Sequence, residues 1–133
     1  MKTLQLNNIE TDYRNRGQAL EQIFRYNVTG EKAKADNVRA EDGTDCLHYS
    51  IKSARATVCR GTDINAYLDT DKATEWVYIT KDLTAYIMNR AEWVAFIEAF
   101  GTVTVESQKN GGHKKIRLGH ETSKMIEWLA SRA

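Results

Sequence analysis

The sequence predicts an α/β sandwich, a central mixed β-sheet flanked by helices on two sides. Three observations carry that prediction. Apolar residues recur at helical spacing in three separate stretches, around Leu20, Trp93 and Met125. Between them lie short runs rich in β-branched and aromatic residues, of which Glu75–Ile79 and Thr84–Met88 are the clearest. Capping residues stand at the ends of the helical stretches, with Asn89 before the middle one and Gly101 after it.

Taken in order, residues 1–12 read as an arm or short strand. A helix begins near Tyr13, with Asp12 as its N-cap and Gly30 as its stop. Leu20, Ile23, Phe24 and Val28 form its buried stripe, and Glu21 falls at the border of that stripe. Gly17 inside the helix costs about 1 kcal/mol relative to alanine, which suggests a close approach there. A β-hairpin follows, with residues 36–40 as one arm, 41–43 as the turn and 44–58 as the second arm and its continuation. Residues 61–72 are a polar connection with a short turn at 64–68. The strands Glu75–Ile79 and Thr84–Met88 join across residues 80–83. The helix over 89–100 has the capping box of Asn89 and Glu92 and buries Trp93, Phe96, Ile97 and Phe100. A second hairpin pairs 102–107 with Lys114–Leu118 across Asn110, Gly111 and Gly112, residues that accept positive φ. The last helix starts near Glu121 and turns Met125, Ile126 and Leu129 inward, with Trp128 partly covered.

At 133 residues the chain reads as one domain, 1–133, able to bury a core without covalent staples. Its balance of 41% hydrophobic and 28% charged residues is that of a globular protein, not of a disordered or membrane chain. The sequence shows neither a secretion signal nor a membrane span, and Cys46 and Cys59 suit buried thiols better than a disulfide framework. A cytoplasmic location is the expectation. The formal net charge of +1 excludes a protein that coats nucleic acid through bulk charge. Any such contact must come from local clusters. Lys109, Lys114, Lys115 and Arg117 crowd a region whose one acid is Glu106, and Arg14, Arg16 and Arg25 line the first helix.

The candidate site centres on Tyr49, Ser50, Ile51, Lys52 and Ser53. In a strand, Ser50 and Lys52 share one face while Tyr49, Ile51 and Ser53 share the other. The plain reading is a polar stripe on a half-exposed strand. The order of residues around it permits a sharper one. The passage from Asn15 to Gln22 with Glu21, then Asp36, then Tyr49-Ser50-Ile51-Lys52-Ser53, resembles the core of the PD-(D/E)xK nucleases. That superfamily holds restriction endonucleases, Holliday junction resolvases and recombination nucleases, which hydrolyse phosphodiesters with Mg²⁺. The resemblance implies a restriction-endonuclease-like sandwich and a DNA substrate, duplex or branched. It implies Glu21 as the helix glutamate, Asp36 as a metal-binding aspartate and Lys52 as the lysine, with Mg²⁺ or Mn²⁺ held by Asp36 and Glu21. Ser50 stands where the family usually has an acid. Some restriction enzymes carry serine there and take the carboxylate from a nearby helix, a part open to Glu21 or, next, to Asp63. Arg16, Arg55, Lys114 and Lys115 are the candidate nucleic-acid contacts, and symmetric duplex cleavage would call for a homodimer.

The chemistry asks for these residue types. Phosphodiester hydrolysis needs a nucleophilic water, neutralisation at the phosphoryl oxygens and a proton for the leaving oxygen. Mg²⁺ takes oxygen ligands, and a lysine can stabilise the charge that develops. His48, His113 and His120 have no zinc spacing with either cysteine; His48 shares the Ser50–Lys52 face. Asp42 and Asp45 are rival acids, Asp42 reading as the hairpin tip. Arg55 would face away from the active side of a regular strand unless a bulge intervenes. The first reading is thus a metal-dependent endonuclease or resolvase-like hydrolase. The second is an inactive protein of the same fold, an accessory or inhibitor of a phage or mobile element that binds nucleic acid or another protein, with Ser50 as its main support.

Overall fold

The computed structural model describes residues 1–32, 49–70 and 73–133. Its elements, in chain order, are β1 (Lys2–Gln5), α1 (Arg16–Thr29), β2 (Tyr49–Lys52), β3 (Thr57–Arg60), α2 (Ile64–Thr70), β4 (Glu75–Ile79), β5 (Thr84–Met88), α3 (Arg90–Phe100), β6 (Gly101–Val105), β7 (Lys114–Leu118) and α4 (Ser123–Arg132). The class is mixed α/β, as expected. The sheet is divided, however: a four-stranded sheet runs β1-β5-β4-β2 and a separate three-stranded sheet runs β3-β7-β6.

The four-stranded sheet is the mixed layer, with β2 parallel to β4 and the other neighbours antiparallel. Its two faces are both covered, which is why β4 reads as a run of large residues and not as an alternation. On one face Val77, Ile79 and Ala85 pack against Leu20, Ile23 and Phe24 of α1 and against Leu6. Phe24 meets Tyr49 edge-on at 4.9 Å, pinning α1 over β2. On the other face Trp76, Tyr78, Tyr86 and Met88 join Trp93, Phe96 and Ile97 of α3 and Met125 and Leu129 of α4. Val58, Cys59, Ile116 and Leu118 of the three-stranded sheet complete that second core. Each such side chain, when fully covered, contributes roughly 1.5–3 kcal/mol against exposure.

The locally encoded elements form as expected. Asn89 Oδ1 accepts from the Glu92 amide at 2.8 Å, and Glu92 Oε1 accepts from the Asn89 amide at 3.0 Å, closing the capping box. The β4–β5 pair joins across its turn as expected, and β6 and β7 pair across a single 3-10 turn. Gly111 and Gly112 there adopt φ of 96° and 64°, a region closed to most side chains.

Four expectations need correction. Asn15, not Asp12, caps α1, accepting from the Gln18 amide at 3.2 Å. Asp12 is instead tied to the side of the helix: its amide donates to Gln22 Oε1 at 2.8 Å, and its carboxylate accepts from Gln22 Nε2 at 3.0 Å and Lys32 Nζ at 3.0 Å. Val28 lies outside the buried stripe and is exposed. Phe100 and Ile126 are half-buried, at the rim of the core. Finally, in the stretch 44–58 the described residues, 49–58, do not form one continuous strand. The chain turns at Ser53–Ala56, with the Ala56 amide donating to Ser53 O at 3.2 Å, and β2 and β3 enter different sheets. A register shift between Thr57 and Cys59 accompanies burial of the adjacent Val58 and Cys59, which a regular strand with one solvent-facing side would not allow. The hairpin's first arm, 36–40, and its turn, 41–43, lie outside the described residues. Among the described residues no helix is long and apolar enough to cross a membrane.

Candidate functional site

Parallel strands end together, and ligands of α/β sheets gather beyond such carboxyl ends. Here β2 stops at Lys52, beside β4, and the first turn of α1 lies across the gap. Between them is an open cleft of about 410 Å³, walled by Asn15, Arg16, Gly17 and Glu21 on the helix side and by the segment from Lys52 to Thr57 on the other. Gly17 has a local use: a Cβ there would stand 3.2 Å from Asn15 Oδ1, the atom that caps the helix. The close approach inferred from this glycine is that of the cap itself.

The charges on the cleft are unequal. Arg16, Lys52 and Arg55 line it, and Glu21 is the carboxylate among its lining residues. The first turn of α1 holds no acidic side chain, so the positive end of a 14-residue helix adds to the cationic field. Arg55 reaches the cleft because the chain leaves the strand after Lys52. Its φ of 68° is left-handed, its amide donates to Gly119 O at 2.7 Å, and its guanidinium lies 3.3–3.4 Å from His120 Nδ1. In that arrangement Nδ1 is the acceptor, so the neutral imidazole carries its proton on Nε2.

Beside Lys52 in register stands Tyr78. Its hydroxyl donates to Glu121 Oε1 at 3.2 Å, and Glu121 Oε2 accepts from the Lys81 amide at 3.4 Å. Burial and then the Glu121 carboxylate push the phenol far above the ordinary tyrosine range, against a smaller downward pull from Arg16. Arg16 and Glu121 therefore both act on Tyr78 at this end of the sheet.

The predicted site residues divide. Glu21, Lys52, Arg16 and Arg55 come together on the one cleft. Lys52 leaves β2 on the Tyr78 face, opposite the face that α1 covers, and borders the cleft as the strand's last residue. Ser50 pairs with Trp76 on that same face, two residues back from the strand end, and does not line the cleft. Asp63, the reserve acid, instead caps α2, accepting from the Ala66 amide at 3.1 Å. Lys114 and Lys115 lie on β7, apart from the cleft lining, and alternate to opposite faces of their sheet. Asp36, Asp42, Asp45, Cys46 and His48 lie outside the described residues. Tyr78 and Glu121 were not anticipated, since a buried tyrosine in an apolar run looks like core and its acid partner is 43 residues away.

Among the described residues no three His, Cys, Asp or Glu side chains gather as a metal site. Glu21 by itself does not make a divalent-ion site on this cleft, so the described residues do not fit Mg²⁺ unaided. Compared with protein-family models, with characterised proteins and with solved structures, the chain matches none.

Proposed function

We propose that the chain is a nucleic-acid-processing protein of the PD-(D/E)xK kind, with a restriction-endonuclease-like core, which seats a DNA phosphodiester in the cleft between α1 and the end of β2. One observation carries the reading: residues as distant in sequence as Arg16, Glu21, Lys52 and Arg55 line a single cleft at the carboxyl end of parallel strands. Arg16 and Arg55 offer planar, permanently charged donors to phosphate oxygens, and Lys52 a compact point charge at the strand end. The α1 amino terminus favours an anion in the same place.

Two versions of this function differ in turnover. Hydrolysis with Mg²⁺ or Mn²⁺ calls for Asp36 to join Glu21, since Glu21 alone does not hold the ion; Lys52 then stabilises negative charge on the phosphoryl oxygens. Binding without turnover is favoured by Ser50, which replaces the usual acid and stays off the cleft. The conclusion common to both is phosphodiester recognition by Arg16, Lys52 and Arg55.

The test is a pair of assays on the purified chain. Duplex and branched DNA are incubated with Mg²⁺ or Mn²⁺ to detect nicking, and a gel shift in chelator measures retention. Cleavage that is lost in Lys52→Ala and in Asp36→Asn, and kept in Ser50→Ala, supports the hydrolase. Retention that depends on Lys52 and Arg16, with no ion supporting cleavage, supports the binding version. No retention and no cleavage would overturn both.

A further inference from the structure

We propose that the bound duplex does not stop at the cleft: its phosphate backbone continues across the outer face of the three-stranded sheet, held by Arg117 and Lys115. This rests on the phosphodiester reading of the cleft and names the surface that extends it.

The register defines that face. Thr57 pairs with Arg117, which pairs with Thr102; Arg60 pairs with Lys115, which pairs with Thr104. Side chains opposite one another across a ladder share a face, so these six side chains stand together. In the alternate row Cys59 and Ile116 are buried against the core, while Val103 on the edge strand β6 is exposed. Thr57, Arg60, Thr102 and Arg117 are exposed, and Lys115 and Thr104 are half-exposed. The face therefore presents three cations and the exposed threonines Thr57 and Thr102; Thr104 stands in the same row but its hydroxyl oxygen is buried. Glu106 pairs with Arg60 at 3.2 Å, and among the described residues Lys115 and Arg117 have no carboxylate partner. Three cations less one acid leave two unneutralised charges.

The face opens from the cleft. Thr57 lines the cleft and is also the register partner of Arg117. Arg117 Nε donates to the carbonyl of Arg55 at 3.3 Å, leaving its terminal nitrogens for another acceptor. From Arg117 to Lys115 is two residues along β7, about 7 Å of extended chain. The cationic line thus runs from Arg16 and Lys52 through Arg55 to Arg117 and Lys115. Its chemistry selects the occupant. Guanidinium, ammonium and exposed hydroxyl groups contact phosphates, whereas none of the six side chains is an aromatic ring on which an unpaired base could stack. A duplex backbone fits this face better than a single strand.

The experiment measures binding of a fluorescent random-sequence duplex by anisotropy in chelator, over a salt series between about 50 and 200 mM. Each lost phosphate contact should flatten the log–log salt slope by about 0.9, so Lys115→Gln with Arg117→Gln should flatten it by about 1.8. Thr102→Glu, which adds a carboxylate to the same row at an exposed position, should weaken binding independently. Removing equal charge at the exposed Lys2 and Lys124 should leave the slope unchanged. Melting curves confirm that each variant is folded. A wild-type slope in both the double variant and Thr102→Glu, while Lys52→Ala weakens binding, would overturn the sheet track and leave the cleft standing. Loss in the double variant with Lys52→Ala unaffected would uphold the track and overturn the cleft. Tighter binding of a single strand than of duplex would overturn the assignment of occupant, and no binding by the wild type would overturn both readings.

Discussion

Replacing Gly101 with alanine sets two physical effects against each other, and the structure decides the sign. Gly101 links α3 to β6 at φ −72° and ψ 141°, a conformation open to any L-residue. On backbone entropy alone, Gly101→Ala would stabilise the chain by about 0.4–1 kcal/mol, because the unfolded chain loses freedom. The space, however, is taken. An added Cβ would stand 2.5 Å from the carbonyl oxygen of Ile97, 2.7 Å from Ile116 Cγ2 and 3.1 Å from Ile97 Cγ2. The first atom is backbone and accepts the Gly101 amide that ends the helix, so it cannot rotate away. Ile116 is wedged in the core. Overpacking of this kind costs about 1–3 kcal/mol. Net of the entropic gain, destabilisation of about 1–2 kcal/mol is expected. With an unfolding entropy of roughly 2.1 cal/mol/K per residue over the whole chain, that is a drop in Tm of roughly 4–7 °C. Urea unfolding followed by tryptophan fluorescence, with thermal melts by circular dichroism, measures it. Gly119→Ala is the matched control, because nothing lies within 4 Å of its added Cβ; it should be neutral or stabilising. Equal or higher stability for Gly101→Ala, or an equal loss in Gly119→Ala, would refute the steric argument.

Two further outcomes follow from local geometry. Arg55→Gly removes a non-glycine residue from left-handed backbone, offsetting the entropy that glycine adds to the unfolded chain, so stability should stay within about 1 kcal/mol while DNA affinity falls; a loss much above that in urea unfolding would assign Arg55 a structural role. Asp82 has its carboxyl held below the ordinary value of 3.8, first by the Thr80 hydroxyl and then by that of Thr84. A lowered folded pKa contributes stability that is present above the unfolded pKa, about 3.9, and lost as pH falls through the folded value. The Tm advantage of wild type over Asp82→Asn should therefore be full at neutral pH and shrink on acidification; a gap constant with pH would refute the linkage.

Much of the architecture could be read directly from the residues. The capping box of Asn89 and Glu92, the short turn between β4 and β5, and the double glycine between β6 and β7 all act within a few residues, so each appears as a pattern in the chain. The alternation of Ser50 and Lys52 against Tyr49 and Ile51 held for the same reason: Tyr49 and Ile51 do pack on the α1 side. The site was legible only in part. Glu21 and Lys52 were picked out by their order, and they meet at one cleft. Asp63, the reserve acid after Glu21, turns out to serve a helix cap.

What the chain determined by itself was its set of elements, because helix periodicity, caps and tight turns depend on neighbours three or four positions away. Only the tertiary structure decided how those elements meet. The break at Ser53–Ala56 sends β2 and β3 to different sheets, and nothing in those four residues marks it; there the Arg55 amide donates to the Gly119 carbonyl, far along the chain. The parallel pairing of β2 with β4, the Tyr78–Glu121 contact and the joining of Arg117 to the cleft edge likewise link residues far apart in sequence. Such contacts are chosen by which apolar faces can be buried together, a property of the whole packed chain and of no single stretch of it.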